Sequence, residues 1–244
     1  MDTYVVVPTY NEAENLEPLV AELLKLPDGE ARTVLRDICV VNVDDNSPDG
    51  TGALADRLAA RNPGRVVAIH RPGKLGLGTA YLAGFERALE LGAQRIITMD
   101  ADFSHHPRSI PIMLRKGSEA DLVIGSRYVM GGVVRGSPPS RRALSRIGNL
   151  AARIITGVAV HDATAGFRLY SRDVLESIAF TDIFSSGYSF LVEMLYLVQE
   201  RGWHVAEVPI VFEDRRAGTS KISRIEVMRA AYTLARLSWR RFRR

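Results

Sequence analysis

Unbroken Val and Ile runs alternate with helix-spaced segments through the first half of this chain, and that order constrains its fold more than any other feature. Tyr4-Val5-Val6-Val7 reads as a buried strand. Residues 12–26 follow with helical spacing, placing Leu16, Leu19, Val20, Leu23 and Leu24 on one face. The pattern repeats as strand 38–43, helix 51–61 with Thr51 as its cap, strand 66–69, helix 78–91, strand 95–99 and strand 122–124. A β-α-β-α order predicts a mostly parallel sheet with helices on both faces. Strands without polar alternation are buried on both sides, which agrees.

The second half is less regular. Gly131 to Pro139 reads as a mobile loop by composition. Helices are expected over 140–155 and 190–199, and a strand over 205–212 in which Pro209 argues for an edge or a bulge. Over 223–241, Ile225, Met228, Tyr232, Ala235, Trp239 and Phe242 form one apolar stripe, and Arg229, Arg236, Arg240 and Arg243 a basic one. Such a helix suits a membrane interface; a surface helix packed on the core would show the same stripe. The expected division is a catalytic domain over 1–221 and an amphipathic basic helix over 222–244.

Charge supports that division. Residues 214–244 hold ten basic and two acidic side chains, a net of +8, so the first 213 residues carry −4 of the overall +4. A basic end on an acidic body suits an anionic partner. No groove-reading or base-stacking motif appears, so nucleic acid is set aside. The single cysteine, Cys39, lies in an apolar run and reads as core; no disulfide or zinc cluster can form, and a reducing compartment is expected. Neither a signal peptide nor a run of some 18 apolar residues is present, so no membrane span is expected.

Chemistry concentrates where strands end. Asp100-Ala101-Asp102 follows strand 95–99, at the edge where open α/β sheets place ligands. Two carboxylates there can hold Mg²⁺ or Mn²⁺ whose other positions are filled by phosphate and water. Pro8-Thr9-Tyr10-Asn11-Glu12 and Asp44-Asp45-Asn46-Ser47-Pro48-Asp49-Gly50 end the first two strands, so Tyr10, Glu12, Asp45, Asp100 and Asp102 reach one crevice. Lys74-Leu75-Gly76-Leu77-Gly78 lacks the third glycine of a dinucleotide loop and reads as a tight helix entry. His105 and His106 beside Pro107 read as supporting groups. Arg127, the run Ser140 to Arg146, and Arg215 to Lys221 bring positive charge to the same region.

This ordered set closely resembles the dolichyl- and polyprenyl-phosphate mannose synthases of glycosyltransferase family 2, which have a GT-A fold. It extends through Gly125-Ser126-Arg127-Tyr128, Thr164-Ala165-Gly166-Phe167-Arg168 and Arg215…Gly218-Thr219-Ser220-Lys221, over nearly the whole chain. The resemblance implies a Rossmann-like, mostly parallel sheet flanked by helices. It implies that Pro8, Tyr10, Glu12, Val43 and Asp45 line a guanosine pocket and that Asp100, Ala101 and Asp102 meet the diphosphate and the metal. Ser104 stands where some relatives have a Gln metal ligand, so the implied metal site is Asp100, Asp102 and Ser104. Arg127, Arg215 and Lys221 would bind donor phosphates, and Arg142 the acceptor phosphate. The implied reaction is inverting transfer of mannose from GDP-mannose to polyprenyl or dolichyl phosphate, peripheral to the cytoplasmic face of a membrane and often beside a separate integral membrane partner. A synthase using UDP-glucose or another UDP-sugar, and a non-catalytic membrane-peripheral binding subunit, are the alternatives.

Overall fold

The computed structural model describes residues 2–26, 38–187, 189–214 and 224–242. β1 (Thr3–Thr9), β2 (Ile38–Asp44), β3 (Val66–His70) and β4 (Arg95–Thr98) are parallel, linked through α1 (Ala13–Lys25), α2 (Thr51–Arg61) and α3 (Leu77–Glu90). Beyond β4 come α4 (Ile110–Lys116), β5 (Leu122–Ser126), β6 (Val133–Arg135), α5 (Pro139–Thr156), β7 (Arg168–Ser171), α6 (Arg172–Glu176), α7 (Ser189–Glu200), β8 (Val205–Pro209), β9 (Val211–Glu213) and α8 (Arg224–Phe242). Seven of these strands make one sheet in the order β3-β2-β1-β4-β7-β5-β8, with β7 antiparallel to both neighbours.

Alternation along the strands divides the interior in two. Val5, Val7, Ile38, Val40 and Ile97 pack toward α1, α2 and α4, against Leu16, Leu19, Leu23, Leu54 and Met113. Tyr4, Val6, Cys39, Val41 and Ile96 pack toward α3 and α7, against Tyr81, Phe85, Phe190 and Leu195. Cys39 is core as expected, and burial pushes its thiol up to about 11. α3 crosses close over β1: a Cβ on Gly84 would lie 2.2 Å from a Val6 methyl.

Four readings need correction. Thr51 does not cap α2 but is its first residue; Gly50 precedes it at φ +88°, and the Asp49 carboxylate accepts from the Thr51 N–H and hydroxyl. Residues 131–139 are not all loop, because β6 pairs with β9. The expected strand 205–212 breaks at Ile210; β8 lies at the sheet edge, as Pro209 indicated, and β9 leaves to join β6. β7 and α4 were not expected.

α8 packs against α5 and α7 through the buried Thr233 and Leu237. Of its apolar stripe, Met228, Tyr232 and Trp239 are exposed. Its basic stripe is partly engaged within the chain. Arg240 pairs with Glu200 at 2.9 Å, and Arg236 lies 3.9 Å above the Phe184 ring.

Candidate active site

Parallel strands bring their carboxyl ends to one edge, so the segments after β1, β2, β3, β4 and β5 meet there. β7 runs the other way, so its amino end lies at that edge too, and with it residues 163–167. Each of the three non-glycine residues with left-handed backbone among the described residues is in these segments: Asn11 (φ 59°), Asn46 (φ 57°) and Phe103 (φ 59°). Left-handed conformation is costly for a residue as bulky as Phe, so the surrounding contacts must hold it.

The first two loops are stitched together. The Asn11, Glu12 and Ala13 N–H groups donate to Ser47 Oγ, Thr51 Oγ1 and Asp49 Oδ2 at 3.0, 3.0 and 3.1 Å. The adjacent acids Asp44 and Asp45 have different tasks. Asp44 is an internal brace, accepting from the Ser47 N–H and hydroxyl and from the Thr9 hydroxyl. Asp45 accepts from Arg71 Nη1 at 2.7 Å, while Arg71 Nη2 donates to Thr79 Oγ1. Burial holds the Asp45 carboxyl above the usual range, although the Arg71 charge pulls it down. Sequence reading missed Arg71 altogether. Lys74 Nζ lies 4.6 Å from the centre of the Tyr10 ring, and Glu12 accepts from the Asn15 amide. Pro8 is half-buried at the end of β1. Val43 is fully buried in the core, so only its backbone can face a nucleoside.

After β4, Asp102 is 7% exposed and its Oδ1 accepts the Ser104 N–H at 3.0 Å. Asp100 is half-buried and accepts from Tyr81 Oη at 3.4 Å. His105 is buried against Phe167; its Nδ1 accepts from the Asp100 N–H and lies 3.8 Å from Asp100 Oδ2. Burial lowers the His105 pKa, so the ring is neutral and orients Asp100 from behind. Ala101 is also core, which leaves only its backbone to the diphosphate. Ser104 is buried beside Asp102 and lines the cleft described below. Among the described residues no three His, Cys, Asp or Glu side chains gather into a metal cage. Two carboxylates at one turn fit instead the octahedral Mg²⁺ or Mn²⁺ pattern in which substrate phosphate and water complete the shell.

The basic residues divide three ways. Arg127 follows β5, and its Nε and Nη2 donate to the two oxygens of the buried Asp162 at 2.7 Å. Its positive charge is therefore largely balanced, and Nη1 is what it can offer a phosphate. Arg141 is taken by Asp214 at 2.8 Å, whereas Arg142, at the start of α5, is exposed and lines the cleft. Arg215 and Lys221 lie outside the described residues.

Asp100, Ser104, His105, Arg127, Arg142 and Thr164 open onto one cleft of about 350 Å³. It continues between α5, α7 and α8, where Leu144, Gly148, Ala152, Leu191 and Leu234 line it. Arg142 and Ala152 are ten residues apart on α5, roughly 15 Å at the helical rise. The cleft thus joins a carboxylate and cationic end to a long apolar one.

The profile of Glycosyl transferase family 2 matches residues 4–179. The polyprenol monophosphomannose synthase of Mycolicibacterium smegmatis is 44% identical over 234 residues, covering 96% of this chain and 85% of that protein. The undecaprenyl-phosphate mannosyltransferase of Micrococcus luteus is 44% identical over 223 residues, covering 91% and 88%. Among solved structures, glucosyl-3-phosphoglycerate synthase from Mycobacterium tuberculosis matches with a TM-score of 0.69 at 20% identity, over 98% of this chain and 80% of that one. A mannosyltransferase from Pyrobaculum calidifontis, solved with GDP-Man and Mn²⁺, matches with a TM-score of 0.60 at 16% identity, over 99% and 64%. At those identities the two structures show the shared GT-A fold.

Proposed function

This chain belongs to glycosyl transferase family 2, and from that premise we propose that it transfers mannose from GDP-mannose to a polyprenyl phosphate, with inversion at the sugar. The observation that carries this reading is the continuity of the cleft. A nucleotide-sugar donor needs the carboxylate end, and an acceptor that is both phosphate and long hydrocarbon needs Arg142 and the apolar groove beyond it. The names of the two relatives at 44% identity agree.

An acceptor phosphate oxygen attacks the anomeric carbon, the bond from that carbon to the diphosphate breaks, and the electron pair leaves with GDP. A phosphate monoester has its second pKa near about 6, so the nucleophile is already ionised at neutral pH and no strong base is needed. The protein therefore works by position and charge. Asp100 and Asp102, with Ser104 beside them, would hold the divalent metal, Mg²⁺ or Mn²⁺, which would supply Lewis-acid stabilisation of the leaving diphosphate. Arg142 draws the acceptor phosphate toward the donor against their mutual repulsion. Arg127, Arg215 and Lys221 offset charge growing on the diphosphate. Tyr10 stacks on the base while Pro8 and Val43 wall its pocket; Glu12 and Asp45 accept from base and ribose. Since the acceptor is a membrane lipid and the donor a cytoplasmic nucleotide sugar, the protein acts at the cytoplasmic face, with α8 toward the bilayer, alone or beside an integral membrane partner.

Radiolabelled GDP-mannose and UDP-glucose, each offered with a polyprenyl phosphate in Mg²⁺ and then in EDTA, test the reading. Metal-dependent mannolipid from GDP-mannose alone is expected; product from UDP-glucose alone would overturn the donor. Asp45 adds a pH signature. Its ionised form accepts base N–H donors and its pKa is raised, so affinity is kept above that pKa and lost as pH falls through it. Guanosine, which has no phosphate to titrate, should lose affinity at a higher pH than the roughly 3.9 of an ordinary aspartate. A flat profile down to that value would remove Asp45 from base recognition.

A further inference from the structure

One wholly buried carboxylate takes no part in the transfer chemistry. Glu193 lies in the second turn of α7 and has no exposed surface. It accepts from the Phe184 N–H at 3.2 Å, from the Ser185 N–H at 2.9 Å and from the Ser185 hydroxyl. A carboxylate is buried without great cost only where donors surround it, and hydrogen bonds to a charged acceptor are the strong ones. Residues 184 and 185 are therefore tied firmly to α7.

The next residue extends the tie to α3. The Ser186 carbonyl accepts the Gly78 N–H at 2.8 Å. A Cβ on Gly76 would lie 2.5 Å from that carbonyl oxygen, and one on Gly78 2.7 Å from the Phe190 side chain. This close approach explains both glycines of the Lys74-Leu75-Gly76-Leu77-Gly78 motif. From Gly76 the contacts run to the nucleotide pocket. The Thr79 hydroxyl has one proton, which it donates to the Gly76 carbonyl at 2.8 Å, so toward Arg71 Nη2, at 2.6 Å, it is the acceptor. Arg71 Nη1 in turn donates to Asp45 at 2.7 Å, and the two side chains are 8% and 9% exposed. Held at Thr79 and at Asp45, the Arg71 fork has one orientation.

We propose that Glu193 is a positioning residue for base recognition: by holding residues 184–186 behind the turn from Gly76 to Gly78, it keeps Thr79 and Arg71 in place and so keeps Asp45 aimed at the base. The proposal rests on the reading of Asp45 as an acceptor for the base. A brace for the end of α7 alone would make the same three hydrogen bonds, and function separates the two. Leu191 and Val192 of α7 line the groove, so loosening of that helix by itself raises the KM for the prenyl acceptor. Loss of the aim of Asp45 acts on the nucleotide instead.

Guanosine binding to the full chain across pH tests it, in the parent, Glu193→Gln, Ser185→Ala, Arg71→Met, Asp45→Asn and the double variant Glu193→Gln with Arg71→Met. A glutamine is of the same size, but its amide turns a donor toward donors. Glu193→Gln should weaken guanosine about tenfold at neutral pH, within the range reached by residues that act through others, and leave the acceptor KM at the parent value. Burial raises the Asp45 pKa most; the Arg71 and Lys74 charges and the Leu75 N–H lower it, and the Asp44 charge raises it. A displaced Arg71 therefore moves the acid limb of guanosine binding to higher pH, by about one unit for a tenfold weaker contact. In the Arg71→Met background Glu193→Gln should add little, because both act on one contact. Ser185→Ala removes only the hydroxyl bond and should weaken guanosine about threefold; it carries the test if Glu193→Gln does not fold. Parental guanosine affinity and acid limb in Glu193→Gln, whatever its melting temperature or acceptor KM, would make the residue a brace only and overturns the proposal. So does a fully additive loss in the double variant. Asp45→Asn separates the two readings. Parental guanosine binding by that variant removes Asp45 from base recognition and the proposal with it, whereas weakened binding there with parental binding by Glu193→Gln refutes the proposal alone.

Discussion

Asp102→Asn is expected to lower transfer by about a thousandfold or more while the protein stays folded. Lewis-acid stabilisation of a leaving diphosphate contributes several kcal/mol, and each 1.36 kcal/mol is a factor of ten in rate. The amide is a sharper probe than alanine here. Asp102 Oδ1 accepts the Ser104 N–H at 3.0 Å, next to Phe103 at φ 59°. An asparagine oxygen keeps that bond, so the strained turn survives and only the charge is lost; alanine would remove both. Thermal unfolding should therefore stay near that of the parent, while Mn²⁺ affinity measured with GDP falls together with turnover. Near-parental transfer by the folded variant would take the acid pair out of the chemistry.

The parallel half of the sheet was legible because its strands are buried on both faces. Continuous Val and Ile runs need no partner to be identified as strands. β7 is different. It has four residues and begins with Arg168, and it exists through antiparallel pairing with β4 and β5, as in Ile96↔Tyr170 and Ile124↔Arg168. Nothing local in a chain announces pairings between residues so far apart. The same holds for β6, whose partner Val211–Glu213 lies nearly eighty residues on.

The site was legible as places and less so as tasks. Asp44 and Asp45 are neighbours of one type, yet one braces the turn and the other faces Arg71, from 26 residues away. Val43 and Ala101 fall inside the motifs, but both side chains are buried in the core, Val43 by its place in β2 and Ala101 in the turn beyond β4. α5 shows the limit from another side, since its Ile147, Leu150 and Ile154 are exposed. Spacing reveals that Ile147, Leu150 and Ile154 share a face, but a period cannot say what the face looks at. Only the burial of Asn149, Ala152 and Thr156 on the other side turns it outward.

Arg168→Met should be the most destabilising of these substitutions, and for a reason the motif hides. The side chain is wholly buried, and its fork is spread over three carbonyls: Nε to Ala165 O at 2.8 Å, Nη1 to Leu191 O at 2.6 Å and Nη2 to Ala163 O at 2.7 Å. It ties the 163–166 segment to α7. Methionine fills a similar length without donors. Removing the buried charge relieves some desolvation, but the loop carbonyls of Ala163 and Ala165 lose the donors that satisfied them, at about 1–3 kcal/mol each. A net loss of about 3 kcal/mol is expected, or roughly 6–12 °C in melting temperature for a chain of this size. Lysine restores the charge but not the planar fork, so Arg168→Lys should fall closer to the methionine variant than to the parent. Since Thr164, Ala165 and Gly166 line the cleft, the KM for the prenyl acceptor should rise in both variants even well below their melting temperatures. If Arg168→Lys melted like the parent, the charge alone would be holding the segment; if Arg168→Met did so as well, the three carbonyls would be finding other donors and the tie to α7 would be dispensable.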